Sequence, residues 1–270
     1  MPYPEAARIC PELVDLDHTG STNDVLAGLV RDRVAAGRPP RPLTTVVTLD
    51  QRAGHGRLDR GWTTPRGRAL AVSTLLAVPA DRLAALPWAS LVSGLACRRA
   101  LAAAGVEATI KWPNDLLVSG AKITGILARL VTARPVDGAL PLVVGFGINL
   151  AQTEADLAAA GLPAGRATSV ALAGGDPDPD RLLAALLGEL DALWTRAVAD
   201  PAGLAAVTAA VAASCDTIGR AVRVELPDGA ALYGTAIGLC RDGRLRVRDV
   251  AGDVHELAAG DVTHVRAADR

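Results

Sequence analysis

The chain has 270 residues, half of them hydrophobic and 21% charged, with a formal net charge of −1. That is ample apolar material for a core, far from a disordered composition, and it lacks the basic footprint of a non-specific nucleic-acid binder. No apolar run approaches the roughly 20 residues of a membrane-spanning helix, and residues 1–17 lack the apolar stretch of a signal peptide. Cys10, Cys97, Cys215 and Cys240 are too scattered for a zinc site or a disulfide framework. Reduced thiols in a cytoplasmic protein are therefore expected.

In chain order, residues 17–30 read as a loop and then a helix, with Ser21 or Thr22 as N-cap and Val25, Leu26 and Leu29 on one face. Residues 43–50 are strand-like, 51–68 form a Gly- and Arg-rich loop, and 69–77 are a buried strand. Pro87 opens a predicted helix that Gly105 stops. Strands are predicted over 108–112, 115–118, 123–131 and 142–150, with a tight turn at Ser119-Gly120. Residues 181–198 form an amphipathic helix with Leu182, Leu186, Leu190 and Leu193 (or Trp194) on one face, and a further helix spans 201–213. Short strands then follow at 221–226, 231–239, 244–250, 254–257 and 262–266, punctuated by turns. The expected fold is α+β: a mixed β-sheet domain backed by helices, residues 1–214, then a small SH3-like β-barrel, residues 215–270.

Four stretches carry candidate chemistry. Residues 51–68 hold five arginines and one aspartate, a local charge of +4, among glycines that allow close approach to a ligand. Guanidinium forks there suit carboxylate and phosphate. The chain has only two lysines, Lys111 and Lys122, and Lys122 opens an apolar strand from which it can neutralise charge developing on oxygen. Between them, Trp112-Pro-Asn-Asp115 has turn chemistry. Gly145-Phe-Gly-Ile-Asn149 ends a strand with glycines that mark a close approach. Thr19-Gly-Ser-Thr-Asn23 offers hydroxyls and an amide at a helix start.

Taken together, Gly20-Ser-Thr-Asn23, Gln51-x-x-Gly-x-Gly-Arg-x-x-Arg-x-Trp62, Lys111-Trp-Pro-Asn-Asp115 with Lys122-x-x-Gly-Ile-Leu127, and Gly145-x-Gly-Ile-Asn149 resemble, in that order, the biotin protein ligases. About 18 residues precede the first motif, too few for a helix-turn-helix module, so the resemblance is to the short type without a DNA-binding domain. It implies a class II synthetase-like catalytic fold and a cytoplasmic, ATP-dependent enzyme using Mg²⁺. Such an enzyme makes biotinyl-5'-AMP and transfers biotin to a lysine of a biotin carboxyl carrier domain of acyl-CoA (acetyl-CoA carboxylase among them) or pyruvate carboxylases. A monomer or weak homodimer, without nucleic-acid or membrane partners, is implied too.

Residue by residue, the resemblance puts Ser21, Thr22, Asn23, Gln51, His55, Gly56, Arg57, Lys122 and Gly125 at biotin. It puts Arg57, Arg60, Trp62, Lys111, Asn114, Lys122 and Asn149 at ATP, with Lys122 and Arg57 catalytic and no dedicated metal ligand; Asp115 would orient lysine or metal. Two positions depart from the family: His55 replaces the usual arginine, and Arg129 stands where an acid is frequent. Lipoate- and octanoate-attaching enzymes share the architecture. The Arg loop and Lys-Trp-Pro-Asn-Asp favour biotin, and a sensor that keeps the adenylate without transferring it stays open.

Overall fold

The computed structural model describes residues 2–57, 61–226, 230–258 and 261–264. In chain order the first nine strands are β1 (Leu13–Leu16), β2 (Thr45–Thr48), β3 (Gly54–His55), β4 (Gly61–Trp62), β5 (Ala69–Pro79), β6 (Thr109–Lys111), β7 (Asp115–Val118), β8 (Ala121–Leu130) and β9 (Ala139–Asn149). The helices are α1 (Thr22–Ala35), α2 (Ala89–Ala103), α3 (Glu154–Ala159), α4 (Pro179–Ala199) and α5 (Pro201–Ser214). Seven strands form one mixed sheet, ordered β1-β2-β5-β9-β8-β7-β6, in which only β1 and β2 run parallel.

Side-chain size alternates along β9 and decides what each face of the sheet does. Val144, Phe146 and Ile148 point to a buried core shared with Leu70 and Val72 of β5, Leu91, Val92 and Leu95 of α2, and Leu182, Leu186 and Leu190 of α4. On the other face, Leu26, Ala27 and Val30 of α1 pack on Val46, Leu75 and Val143. Further along that second face the side chains shrink: Ala71 of β5, Gly147 of β9 and Gly125 of β8 stand in one register row, and Ser73 and Gly145 in the next. A face lined by such small residues leaves space instead of core.

The smaller unit is an antiparallel sheet of β10 (Ala221–Glu225), β11 (Ala231–Leu239), β12 (Leu245–Asp249), β13 (Val254–Leu257) and β14 (Asp261–His264), ordered β13-β12-β11-β10-β14. Among the described residues no ladder joins β13 to β14, so the sheet is open at its edges. Its Val222, Val224, Leu245 and Val247 belong to the same buried cluster as the larger unit. Trp112 donates Nε1–H to Gly243 O (3.0 Å) and its backbone N–H to Thr217 Oγ1 (3.0 Å), while Trp88 Nε1 donates to Arg241 O (2.9 Å).

Several expectations shift. Ser21 is the N-cap of α1, accepting from Asp24 N. The buried face of α1 is Leu26, Ala27 and Val30 rather than Val25, Leu26 and Leu29, and Leu29 is exposed. Pro87 lies inside a 3-10 turn, Leu83–Trp88, that precedes α2. The supposed loop 51–68 contains a short antiparallel pair, β3 with β4, of two residues in each strand. Strand β1 and helix α3 are additional; Thr153 and Asp156 close a capping box on α3, a T-x-x-D signal readable in sequence. Ser119 (φ 50°) and Gly120 (φ 84°) make the tight turn, with the paired positive φ that a two-residue hairpin demands.

Candidate active site

The row of small residues floors a cavity of about 480 Å³. Every predicted site residue within the described segments lines it except Lys111, which pairs with Asp115 across β6–β7 but is not part of the wall. Arg60 lies outside the described residues.

One end is a hydrogen-bonded polar wall. Gln51 Oε1 accepts from Thr22 N–H (2.8 Å) and lies 3.2 Å from Thr22 Oγ1. Ser73 Oγ stands 2.7 Å from both Thr22 Oγ1 and Asn23 Oδ1, and Asn23 Nδ2 donates to Leu127 O (3.3 Å). Gly145 makes this possible, because a Cβ there would collide with the Asn23 amide. Two strands, the start of α1 and Gln51 thus hold polar atoms where a small polar ring can meet matched donors and acceptors.

Lys122 and Asp115 stand in the middle. Lys122 Nζ lies 2.6 Å from Asp115 Oδ1, and a Cβ on Gly125 would lie 3.1 Å from Nζ, so glycine leaves the lysine its room. The backbone around Lys122 is fastened as well: its N–H donates to Arg166 O (2.9 Å), and Thr168 N–H donates to its carbonyl (2.9 Å). An ammonium on a strand, oriented by a carboxylate, provides fixed positive charge without loop reorganisation.

The third component is the loop that carries β3 and β4. Arg57 lines the cavity and donates to Asn114 Oδ1 (3.4 Å), and Asn114 Nδ2 donates to Ile126 O (2.8 Å), so the loop is tied to the sheet through Asn114. Not all of the loop's positive charge faces inward. Arg52 hydrogen-bonds Asp50 (2.7 Å) and holds that carboxyl below its ordinary range, while Arg68 bonds Ala151 O (3.1 Å) and approaches Asp156 (3.7 Å). His55 Nε2 is 3.8 Å from Asp24 Oδ2, and the same carboxylate pairs with Arg129 (2.8 Å), so the two departures from the family meet at one aspartate. Trp62 covers the floor at Gly147, where a Cβ would lie 2.8 Å from the indole ring.

At the far end the Asn149 side chain is engaged, donating Nδ2–H to Thr168 O (2.9 Å) and accepting at Oδ1 from Gln152 Nε2 (2.9 Å). Gln152 lines the cavity with Leu157, Ala160 and Leu162; neither it nor Ser73 was expected from sequence. Gln152 follows Asn149 by three residues, the only local hint of its part. Ser73 sits inside an apolar strand run, where a serine carries no signal of its own.

Other chemistries find no support in the described residues. No group of three or more His, Cys, Asp or Glu side chains could hold a metal. Burial pushes the Cys97 thiol up to about 12 and raises those of Cys10 and Cys215, so these are not ready thiolates. No described helix is long and apolar enough to cross a membrane.

A lysine–carboxylate pair between a polar pocket and an arginine-bearing loop suits the joining of two anions, the problem faced by acid-activating ligases. The chain matches the Biotin/lipoate A/B protein ligase family over residues 21–149 and the Biotin protein ligase C terminal domain over residues 217–265. The biotin–[acetyl-CoA-carboxylase] ligase of Mycobacterium tuberculosis is 35% identical over 258 residues, which is 92% of this chain and 87% of that protein. The chain belongs to the biotin protein ligase family. Among solved structures, the Aquifex aeolicus biotin protein ligase in complex with biotin and ATP shares the fold, with a TM-score of 0.73 at 24% identity over 95% of this chain and 100% of that one. The Leishmania major ligase in complex with biotinyl-5-AMP is 26% identical, with a TM-score of 0.54 over 92% and 99% of the two chains.

Proposed function

We propose that the chain activates biotin as biotinyl-5'-AMP and transfers it to a specific lysine of a biotin carboxyl carrier domain of an acyl-CoA or pyruvate carboxylase. The observation that carries this reading is the convergence of four sequence-distant motifs on one cavity, with Lys122 between the polar end and the loop. Family membership and the relative named for acetyl-CoA carboxylase support it. The units 1–214 and 215–270 would carry catalysis and its C-terminal support.

In this reading the ureido ring of biotin sits among Ser21, Thr22, Asn23 and Gln51, and its valeryl chain runs over Gly125 toward Lys122. A carboxylate oxygen attacks the α-phosphorus of ATP, the P–O bond to the β-phosphate breaks, and pyrophosphate leaves. Lys122 and Arg57 offset the repulsion between the anions. His55 and Gly56 close over the acyl phosphate and keep water from hydrolysing it. Trp62 and Asn149 hold the nucleotide, and Asn114 keeps Arg57 in place. Lys111 would act on the phosphates only from outside the cavity wall. The neutral carrier amine then attacks the acyl carbon, the C–O bond to the phosphate breaks, AMP leaves, and the amine's proton passes to solvent as the amide forms.

Mg²⁺ enters here with ATP as part of the substrate. With no all-protein cage among the described residues, the phosphates and water would supply most of its ligands. The four unpaired cysteines fit a cytoplasmic location.

The test is biotin-dependent ATP–pyrophosphate exchange, with lipoate and octanoate in parallel and Lys122→Ala as control, followed by carrier labelling. Exchange with biotin alone, lowered roughly 100- to 1,000-fold in the variant, is expected. Exchange only with a fatty acid, or none at all, would overturn the reading.

A further inference from the structure

Asp24 stands between two basic side chains that come from different parts of the fold. Its Oδ1 takes Arg129 of β8 (2.8 Å), and its Oδ2 lies 3.8 Å from Nε2 of His55 on β3. The aspartate is fixed from two directions. It occupies the first turn of α1, where the helix dipole favours an anion. Its chain neighbour Asn23 bonds Leu127 O, and Arg129 leaves the same strand two residues further on, so α1 and β8 grip Asp24 together. His55 has less support. It ends the two-residue strand β3, and its side chain is 59% exposed.

The other charged groups of the cavity wall are placed elsewhere. Lys122 pairs with Asp115, Arg57 bonds Asn114, and Asp156 faces Arg68. Arg166 belongs to the segment bridged to Lys122 at the start of β8. Among the described residues the carboxylate within ion-pair reach of His55 is therefore that of Asp24. Arg129 holds Oδ1 and leaves Oδ2 turned to the loop. An imidazole changes charge close to neutral pH, so this contact, unlike one made by arginine, is set by proton concentration. The protonated ring offers Oδ2 a charge and an N–H; the neutral ring offers no charge.

We infer that Asp24 is a positioning residue for the loop: with Oδ1 held by Arg129, its Oδ2 latches protonated His55 and ties β3 to the start of α1, so that a bound acyl adenylate leaves more slowly as pH falls. Asp24 does not line the cavity and acts through His55, which does. The inference rests on the adenylate-forming reading above and adds a proton-dependent restraint to it.

The experiment measures release of radiolabelled biotinyl-5'-AMP, added directly to the protein and chased with unlabelled adenylate, at about pH 6 and about pH 8. It compares wild type, Asp24→Asn, His55→Arg and the double variant, with thermal unfolding as the check on fold. Wild type is expected to release the adenylate about two- to fivefold more slowly at the lower pH, the scale of an exposed ion pair. Asp24→Asn should release it fast at both values and His55→Arg slowly at both. The double variant should behave as Asp24→Asn alone, a coupling that a merely structural Asp24 would not produce. Equal release by wild type at the two pH values would overturn the inference and leave the activity reading in place. So would a pH dependence that survives in Asp24→Asn, or a His55→Arg effect that persists without Asp24. If Asp24→Asn does not fold, the wild-type and His55→Arg profiles still decide. Failure of the adenylate to bind at all would overturn both readings.

Discussion

The polar end of the cavity and its loop side are built on opposite principles. At the polar end Thr22, Gln51, Ser73 and Asn23 are interlocked by bonds of 2.7–3.3 Å on strands and a helix start, and Thr22, Gln51 and Ser73 are buried. On the loop side Arg57 reaches its amide at 3.4 Å, and the His55 side chain is 59% exposed, 3.8 Å from Asp24. A wall already satisfied by its own bonds loses little freedom when a ligand arrives, so it sets geometry. A loop that carries charged side chains can close on an intermediate and open for release. On the proposed function, shape recognition and charge management fall to different parts of one cavity.

The sharpest way to break that division is to compare Lys122→Ala with Arg57→Ala in single-turnover adenylation. Lys122, fastened on its strand, should cost roughly 100- to 1,000-fold in rate, and Arg57 less. A larger loss at Arg57 would move the catalytic charge to the loop. Next, Gly145→Ala drives a methyl group into the Asn23 amide. We expect a loss of about 1–3 kcal/mol in urea unfolding and at least tenfold weaker biotin binding by calorimetry. Unchanged biotin affinity would show that the sheet wall is not where the ring sits.

Trp112→Phe removes a buried bond to Gly243 O, 131 residues away, and leaves that carbonyl unmatched. A loss of about 1–3 kcal/mol in unfolding is expected, with little change in biotin affinity, since Trp112 does not line the cavity. The smallest effect belongs to the loop. His55→Arg places a permanent fork beside Asp24 and should slow release of the adenylate about two- to fivefold, the scale of an exposed ion pair. Equal release by the two proteins would deny the loop any hold through this position.

Much of this could be read along the chain. The amphipathic stripe of α4, the Ser21 cap, the Ser119-Gly120 turn and the alternating β9 run are local patterns, and their side chains fall where period and capping chemistry place them. The shift of α1's buried face toward Ala27 and Val30 was not legible, because which stripe of a weakly amphipathic helix is buried depends on the sheet beneath it. Nor was the spread of the loop's charge: five arginines read as one patch, yet Arg52 and Arg68 turn to Asp50 and Asp156.

The sequence by itself determined the succession of strands and helices, the motifs in their order, and the side-chain types available for joining two anions. These follow from periodicity, turn chemistry and ligand chemistry, all expressed within a few residues. Tertiary structure decided that Gly145 makes room for Asn23, that Ser73 bonds an amide 50 residues away, and that Asn149 spends its amide on Thr168 and Gln152. Those outcomes depend on register between strands far apart in the chain and on which group reaches a carbonyl first, and hydrogen-bond polarity is settled only when both partners are in place.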